Sequence, residues 1–215
     1  MMEHRELLEE ICTFLQKGRA KNVAELVQQA VDEGISAEVI LNDALLKGMG
    51  IIGEKFKNNE VYVPEVLIAA RAMNQGTAIL KPLLASDGVQ AVGKVVLGTV
   101  RGDLHDIGKN LVRMMMEGKG LEVIDLGVDV PPEKFVETAK EEHAQIIGLS
   151  ALLTTTMVEM KNVVDAAVAA GIRDNVTIMV GGAPVTDAFC KSIGADAYTS
   201  DATSAAEYAC KVCTA

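Results

Sequence analysis

The hydrophobic pattern of this chain changes completely at residues 85–88. Before this segment, apolar residues such as Ile11 and Leu15 recur at helical spacing, which predicts a bundle of four or five helices. After it, five short apolar runs alternate with helical stretches, an order typical of a parallel, doubly wound sheet. We therefore expect a helical bundle over residues 1–88 and a five-stranded α/β domain of the flavodoxin-like or Rossmann-like type over residues 89–215.

Apolar runs and turn residues also predict where the individual elements begin and end. In the first half, the expected helix breaks are residues 17–18, 33–34 and 57–59, with Ser36 as an N-cap and a last helix from Pro64 to Leu84. The expected strands are residues 94–100, 121–126, 145–152, 176–180 and 197–199. The expected helices of the second half are residues 108–119, 132–143, 156–170, 186–193 and 204–213.

Charge and composition exclude several classes of function. The 30 Asp and Glu residues outnumber the 20 Lys and Arg residues, and no basic cluster could follow a nucleic-acid backbone. No apolar stretch approaches the roughly 20 residues of a membrane-spanning helix. The charged start of the chain and its four scattered cysteines favour a cytoplasmic protein with no membrane or nucleic-acid partner. Cys210 and Cys213 form the one close pair, and without a second pair or a nearby histidine they receive no role.

The loop after the first expected strand carries one of the three histidines. It contains Gly102, Asp103, His105, Asp106, Ile107 and Gly108, and it matches neither a dinucleotide fingerprint nor a P-loop. His105 could present one ring nitrogen to a metal while Asp103 holds the other; alternatively, Asp103 caps the next helix and His105 is a solvated loop residue. Because one histidine does not make a protein-only metal site, a metal bound here must bring most of its own ligands, which indicates a macrocycle.

Three motifs at successive strand ends resemble those of one known domain family. They are Asp103-x-His105-x-x-Gly108 after the first strand, Ser150-x-Leu152 with Thr154 after the third, and Gly181-Gly182 after the fourth. In this order they resemble the cobalamin-binding domain of B12-dependent methyltransferases and mutases. The helical half is similar to the cap domain that precedes this domain in methionine synthase and in corrinoid proteins of methanol, methylamine and methoxyaromatic metabolism. The residues that carry this second similarity are Met49, Phe56, Val63, Pro64, Glu65, Ala69, Ala70 and Met73.

The resemblance implies a corrinoid cofactor of the cobalamin type, with His105 as the axial ligand of its cobalt. It also implies that Asp103 hydrogen-bonds the imidazole and that Ser150 extends this relay. The nucleotide tail of the cofactor would lie in a slot beside three glycines, for which ordinary turn glycines are the alternative. The expected cofactor-binding residues are Gly102, Asp103, His105, Asp106, Ile107, Gly108, Ser150, Leu152, Thr154, Gly181, Gly182 and Tyr198.

The resemblance further implies a methyl carrier and not a complete enzyme, because the chain has no cluster of Cys and His that could activate a methyl donor. The candidate lid residues over the cobalt are Phe56, Tyr62, Val63 and Met73, for which packing inside the bundle is the alternative. The expected partners are a substrate-specific methyltransferase, a second methyltransferase with an acceptor such as tetrahydrofolate or a thiol coenzyme, and a reductive activase. Two alternative functions are a B12-dependent sensor or regulatory protein and a cofactor-free, flavodoxin-like signalling domain.

Overall fold

The structure is a computed structural model that describes residues 2–215. The chain divides into a helical unit that extends to Gln90 and an α/β unit made of Ala91–Glu117 and Leu121–Ala215. No helix of the described residues is both long enough and apolar enough to cross a membrane. Both units have the element types that the hydrophobic pattern predicts.

The helical unit consists of helices that bury their apolar faces against one another. Its elements are α1 (Met2–Gln16), α2 (Ala20–Asp32), α3 (Ala37–Ile40), a π-helical segment (Leu41–Leu46), α4 (Lys47–Lys57) and α5 (Val63–Ser86). Ile11, Leu15 and Leu80 are completely buried, as expected for the core-facing stripe of such helices. The Ser36 hydroxyl accepts a hydrogen bond from the Val39 amide at 3.4 Å and is the predicted N-cap. Hydrophobic spacing does not reveal the π-helical segment, which joins α3 to α4 without a break.

The α/β unit is built on five parallel strands that alternate with helices. The strands are β1 (Lys94–Thr99), β2 (Glu122–Asp125), β3 (Ile146–Ser150), β4 (Thr177–Gly181) and β5 (Ala197–Tyr198). The helices are α6 (Ile107–Glu117), α7 (Pro132–Glu141), α8 (Val158–Ala169), α9 (Asp187–Ser192) and α10 (Ala202–Thr214), with a 3-10 turn (Arg173–Asn175) before β4. The predicted doubly wound sheet is confirmed. The predicted end of the third strand is wrong, because β3 ends at Ser150 and Leu152 lies in the following loop.

The strand order β2-β1-β3-β4-β5 brings the candidate residues to one edge of the sheet. Thr99 of β1 lies beside Ser150 of β3, and Ser150 lies beside Gly181 of β4, so three strands end together. The strand order changes direction between β1 and β3. At such a switch point the loops diverge to opposite faces of the sheet and leave a crevice in which ligands bind.

Close packing in the middle of the sheet fixes where these strands end. Val96, Ile147 and Ile178 are completely buried, since helices cover both faces of the sheet. Phe135 of α7 lies so close to Gly98 that an added Cβ would be 2.7 Å from its ring. The loops at the carboxyl edge therefore start from a rigid base.

Candidate functional site

Asp103 is a fully buried carboxylate in the loop after β1. Its Oδ1 accepts hydrogen bonds from the backbone amide and from Nδ1 of His105, at 3.1 and 2.7 Å. Its Oδ2 accepts hydrogen bonds from the Leu152 amide at 2.8 Å, the Leu153 amide at 3.2 Å and the Thr156 hydroxyl at 2.7 Å. Asp103 therefore joins the loop after β1 to the loop after β3, across the switch point.

These hydrogen bonds keep the Asp103 carboxylate charged. Burial by itself would raise its pKa, but the hydrogen bonds from the Leu152 amide, the Thr156 hydroxyl and His105 outweigh burial and hold the pKa of Asp103 well below its ordinary value. A charged acceptor beside Nδ1 keeps a proton on that nitrogen. The tautomer of His105 is thus set by its buried neighbour.

The His105 ring lies at the protein surface, where 51% of its side chain is exposed. Its main chain is fixed, because the buried Thr99 hydroxyl donates to the His105 carbonyl oxygen at 2.8 Å. Since Nδ1 donates to Asp103, Nε2 keeps its lone pair, and none of the described residues donates a hydrogen bond to it. His105 can therefore offer Nε2 to a metal in one tautomer and one orientation.

Thr156, and not the expected Ser150, extends the relay from Asp103. Among the described residues no hydrogen bond joins Ser150 to Asp103; Ser150 ends β3 and lines a nearby cavity. The Thr156 hydroxyl also lies 2.9 Å from the Leu153 carbonyl oxygen, but a charged carboxylate is the stronger acceptor. Three consecutive threonines follow Leu153, and only the backbone turn decides which of them reaches Asp103. Thr154 is exposed and does not cap α8.

The two loops joined by Asp103 and the first residue of α6 expose large apolar side chains. Leu104 and Ile107 are 70% and 74% exposed, and Leu152 and Leu153 are more than two-fifths exposed. Folded proteins rarely leave contiguous apolar surface uncovered unless something binds there. The surroundings of His105 are therefore suited to a broad ligand with an apolar face.

A cavity of about 310 Å³ lies at the same edge of the sheet, between α6, the ends of β3 and β4, and the start of α10. Of the expected site residues, it is lined by Gly108, Ser150, Gly181, Gly182 and Tyr198. Its remaining walls are largely apolar, with Leu97, Val112 and Met179 among them. The cavity thus combines an apolar interior with a few hydroxyl groups, as ligand pockets commonly do.

The three glycines expected at the cofactor site, which all line this cavity, have different structural reasons. Gly182 has a φ of +133°, and an added Cβ would lie 1.8 Å from the Ala151 carbonyl oxygen, so the fold itself requires glycine there. An added Cβ at Gly108 or Gly181 would meet no protein atom within 4 Å. At these two positions a side chain would instead extend into space that is open in the protein.

Comparisons with known proteins identify the family of this chain. Two family models, each described as a B12 binding domain, match residues 93–208 and residues 7–81. A corrinoid protein of Desulfitobacterium hafniense (strain Y51) is 42% identical over 209 residues, which cover 96% of this chain and 97% of that protein. This chain belongs to the B12-binding corrinoid protein family.

Other relatives extend this similarity to solved structures. This chain is 42% identical to the dimethylamine corrinoid protein of Methanosarcina barkeri over 205 residues, which cover 95% of this chain and 96% of that protein. The crystal structure of the methanol:cobalamin methyltransferase complex from Methanosarcina barkeri matches with a TM-score of 0.88 and 30% identity, over 97% of this chain and 80% of that chain. A cobalamin-binding protein from Desulfitobacterium hafniense DCB-2 matches with a TM-score of 0.76 and 31% identity, over 95% and 98% of the two chains.

The corrinoid protein also contains a buried ion pair that the sequence motifs do not include. Lys109 Nζ lies 2.6 Å from both carboxylate oxygens of Asp125 and 2.9 Å from Oδ1 of Asn110. Burial raises the pKa of Asp125, but Lys109, the Gly127 amide and Arg113 together outweigh burial and lower that pKa below its ordinary value. The sequence does contain one indication of this ion pair. Lys109 lies on the same helix face as the apolar residues Val112 and Met116, and a charge on a buried face needs a partner.

The remaining expected residues lie apart from the cavity. The Gly102 amide donates to the Asp129 carboxylate at 2.6 Å, and the Asp106 carboxylate accepts a hydrogen bond from Asn110 at 3.1 Å. Of the lid candidates, Met73 is buried in the core of the helical unit, Tyr62 is 65% exposed, and Phe56 and Val63 are half-buried. Cys210 and Cys213 are free thiols in α10.

The residues of this corrinoid protein fit a corrinoid. Within the described residues, no group of three or more His, Cys, Asp or Glu side chains could hold a bare metal ion. A corrinoid ring supplies the equatorial ligands of its own cobalt, so it needs only one axial donor from the protein. His105 would supply that donor from an apolar surface, and the cavity beside Gly108 and Gly181 would take the nucleotide tail.

Proposed function

We propose that this corrinoid protein binds a cobalamin-type corrinoid through His105 and carries a methyl group between two methyltransferases. One observation carries the proposal: the buried Asp103 carboxylate holds Nδ1 of His105 at 2.7 Å while Nε2 remains available at the exposed edge. An axial ligand needs this arrangement, because the hydrogen bond at one ring nitrogen fixes the tautomer and the direction of the other.

The chain has distinct tasks at this site. A bound corrinoid supplies a cobalt centre that accepts and releases a methyl group. The chain would orient Nε2 of His105 toward that cobalt. A stronger bond from Nε2 would make the Nδ1 proton more acidic and shift it toward the Asp103 carboxylate, and a weaker bond would leave it on His105. Thr156 stabilises the charged form of Asp103 and so biases this exchange.

The other expected residues belong to the same proposal. The tail of the corrinoid lies in the cavity beside Gly108, Ser150, Gly181, Gly182 and Tyr198. The ring contacts the loop residues Gly102, Asp106, Leu152 and Thr154 and Ile107 at the start of α6, or these residues shape its binding surface. The domain division is likewise proposed: residues 1–88 form the helical domain, and residues 89–215 bind the cofactor.

The names of the relatives support the choice of partners. Because the similar proteins include methylamine corrinoid proteins and the corrinoid chain of a methanol:cobalamin methyltransferase complex, we infer that a substrate-specific methyltransferase loads this carrier. A second methyltransferase with tetrahydrofolate or a thiol coenzyme as acceptor would unload it, and a reductive activase would restore oxidised cobalt, all in the cytoplasm. Family membership over nearly the whole chain favours the carrier over a sensor with an added output domain and over a cofactor-free signalling domain.

Reconstitution tests cofactor binding. The purified protein, His105→Ala and the control His143→Ala are each incubated with hydroxocobalamin, desalted and examined by visible spectroscopy. We expect wild type and His143→Ala to retain stoichiometric corrinoid with the same spectrum, and His105→Ala to show a different axial-ligand spectrum. Failure of the wild-type protein to retain any corrinoid, or identical spectra for all three proteins, would refute axial ligation by His105.

Methyl loading tests the carrier role separately. The reconstituted protein is reduced with titanium(III) citrate, treated with [14C]methyl iodide and passed through a desalting column. We expect a stoichiometric, light-sensitive label that stays with the protein and is lost when a cognate methyltransferase and its acceptor are added. A protein that retains corrinoid but no label would be a cofactor-binding sensor and not a carrier.

A further inference from the structure

The end of β1 and the loop that carries His105 are held by the loops that follow both neighbouring strands, β2 and β3. On the β3 side, the Asp103 carboxylate accepts hydrogen bonds from the loop that follows that strand. On the β2 side, the Thr99 amide donates to the Gly127 carbonyl oxygen at 2.9 Å, and the Val130 amide donates to the Thr99 carbonyl oxygen at 3.0 Å. Thr99 in turn donates its hydroxyl to the His105 carbonyl oxygen.

Asp129 adds two contacts on the β2 side, and both lie next to the relay. Its carboxylate accepts a hydrogen bond from the Gly102 amide at 2.6 Å, and its own amide donates to the Asp103 carbonyl oxygen at 3.0 Å. Asp129 thus fixes the backbone of both Gly102 and Asp103, and its bond to Gly102 is charge-assisted.

The backbone of Asp129 has a φ of +54°, a conformation that residues other than glycine seldom adopt. Such conformations persist where surrounding contacts determine them, and they concentrate at functional sites. Glycine would adopt this φ at lower cost, but it could not accept the hydrogen bond from the Gly102 amide that the Asp129 carboxylate accepts. Asp129 itself is exposed and contributes no apolar packing.

We propose that Asp129 is a positioning residue for the axial ligand. It fixes the backbone at Gly102 and Asp103 from the side opposite to the β3 loop, so that Nε2 of His105 keeps one position before the corrinoid binds. This inference rests on the proposed axial role of His105. Loss of the Asp129 carboxylate weakens the bond between His105 and cobalt without closing the cavity or removing a core side chain.

The test compares Asp129→Gly and Asp129→Asn with the control His143→Gly. His143 also has a positive φ, +54°, and lies before β3 at the amino edge of the sheet, so the control makes the same change of backbone freedom away from the site. Each protein is labelled with 15N-histidine, loaded with cobalamin, reduced to the Co(II) form and examined by electron paramagnetic resonance. Splitting by the 15N nucleus identifies the cobalt that is bound to His105. Imidazole is then added until half of this signal is lost.

We expect Asp129→Gly to lose His105 from cobalt at about 10-fold lower imidazole than wild type, the lower end of the effect of outer-shell partners on metal sites. Asp129→Asn should lie between the two because its amide oxygen still accepts the Gly102 amide. Asp129→Gly should bind as much corrinoid as wild type does. Its urea midpoint should equal that of His143→Gly.

Equal imidazole dependence of Asp129→Gly and wild type would overturn the inference and leave the proposed function intact. An equal loss of the signal in His143→Gly would also overturn it, since the effect would then be one of backbone freedom alone. Absence of the 15N splitting in wild type would instead refute the axial role of His105.

Discussion

The Thr156 hydroxyl donates a hydrogen bond to the Asp103 carboxylate at 2.7 Å, although 53 residues separate the two in the chain. Asp103 is fully buried and Thr156 is nearly so, so water does not replace this bond when it is lost. The same carboxylate orients His105, and a change at Thr156 therefore reaches the site through one intermediate residue.

Thr156→Val tests this contact, because valine keeps the shape of threonine and removes the hydroxyl. We expect the free energy of unfolding in urea to fall by about 1.5–3 kcal/mol, the usual range for a hydrogen bond to a charged group. Thr156→Ser keeps the hydroxyl and should recover most of this loss. If serine and valine destabilise the protein equally, packing of the methyl group and not the hydrogen bond is responsible.

The lowered pKa of Asp103 makes stability depend on pH in acid. Above the ordinary pKa of aspartate, near 4, Asp103 is charged in both the folded and the unfolded chain, and its full stabilisation is present. As the pH falls below that value the unfolded chain takes up the proton first, so the free energy of unfolding decreases. We expect a steep decrease below pH 4 in urea titrations and a shallower one for Asp103→Asn. Equal slopes would show that other carboxylates, such as Asp125, account for the pH dependence.

Gly181 and Gly182 are adjacent but should respond oppositely to alanine. Gly182→Ala places a Cβ 1.8 Å from the Ala151 carbonyl oxygen at a positive φ, so we expect a loss of about 3 kcal/mol or more in urea. Gly181→Ala meets no protein atom, and its stability should stay within about 1 kcal/mol of wild type. Gly181→Val should weaken corrinoid retention at unchanged stability, because the added carbons extend into the proposed tail site. Normal corrinoid retention by Gly181→Val would place the tail elsewhere.

Lys109→Met should strongly destabilise the α/β unit. The change leaves the partly buried Asp125 carboxylate without its main partner, and breaking a buried ion pair on one side costs about 3–5 kcal/mol. Arg113, 3.5 Å from the same carboxylate, should reduce this loss toward the lower value. The double variant Lys109→Met/Asp125→Leu should recover part of the stability, which a double-mutant cycle in urea measures. Additive losses would show that the two side chains act independently.

Much of the fold could be predicted because the central strands β1, β3 and β4 are buried on both faces and therefore appear as short apolar runs. The five strands and their order of alternation with helices followed from this pattern, and the observed bounds differ mostly by one or two residues. The π-helical segment at Leu41–Leu46 could not be predicted, since local hydrogen bonding and not hydrophobic spacing distinguishes it from an α-helix. The end of β3 was placed too late because the apolar run continues into the exposed residues Leu152 and Leu153.

Sequence by itself determined the family of this protein and the identity of its candidate axial ligand, because a histidine and its aspartate are neighbours in one loop and their spacing is local. Only the tertiary structure decided which residues surround that pair. Thr156 and Asp129 lie on loops after two other strands, and they meet the Asp103 loop only because β1 is placed between β2 and β3. Contacts between loops depend on strand order and backbone turns, and residue spacing along the chain does not contain this information.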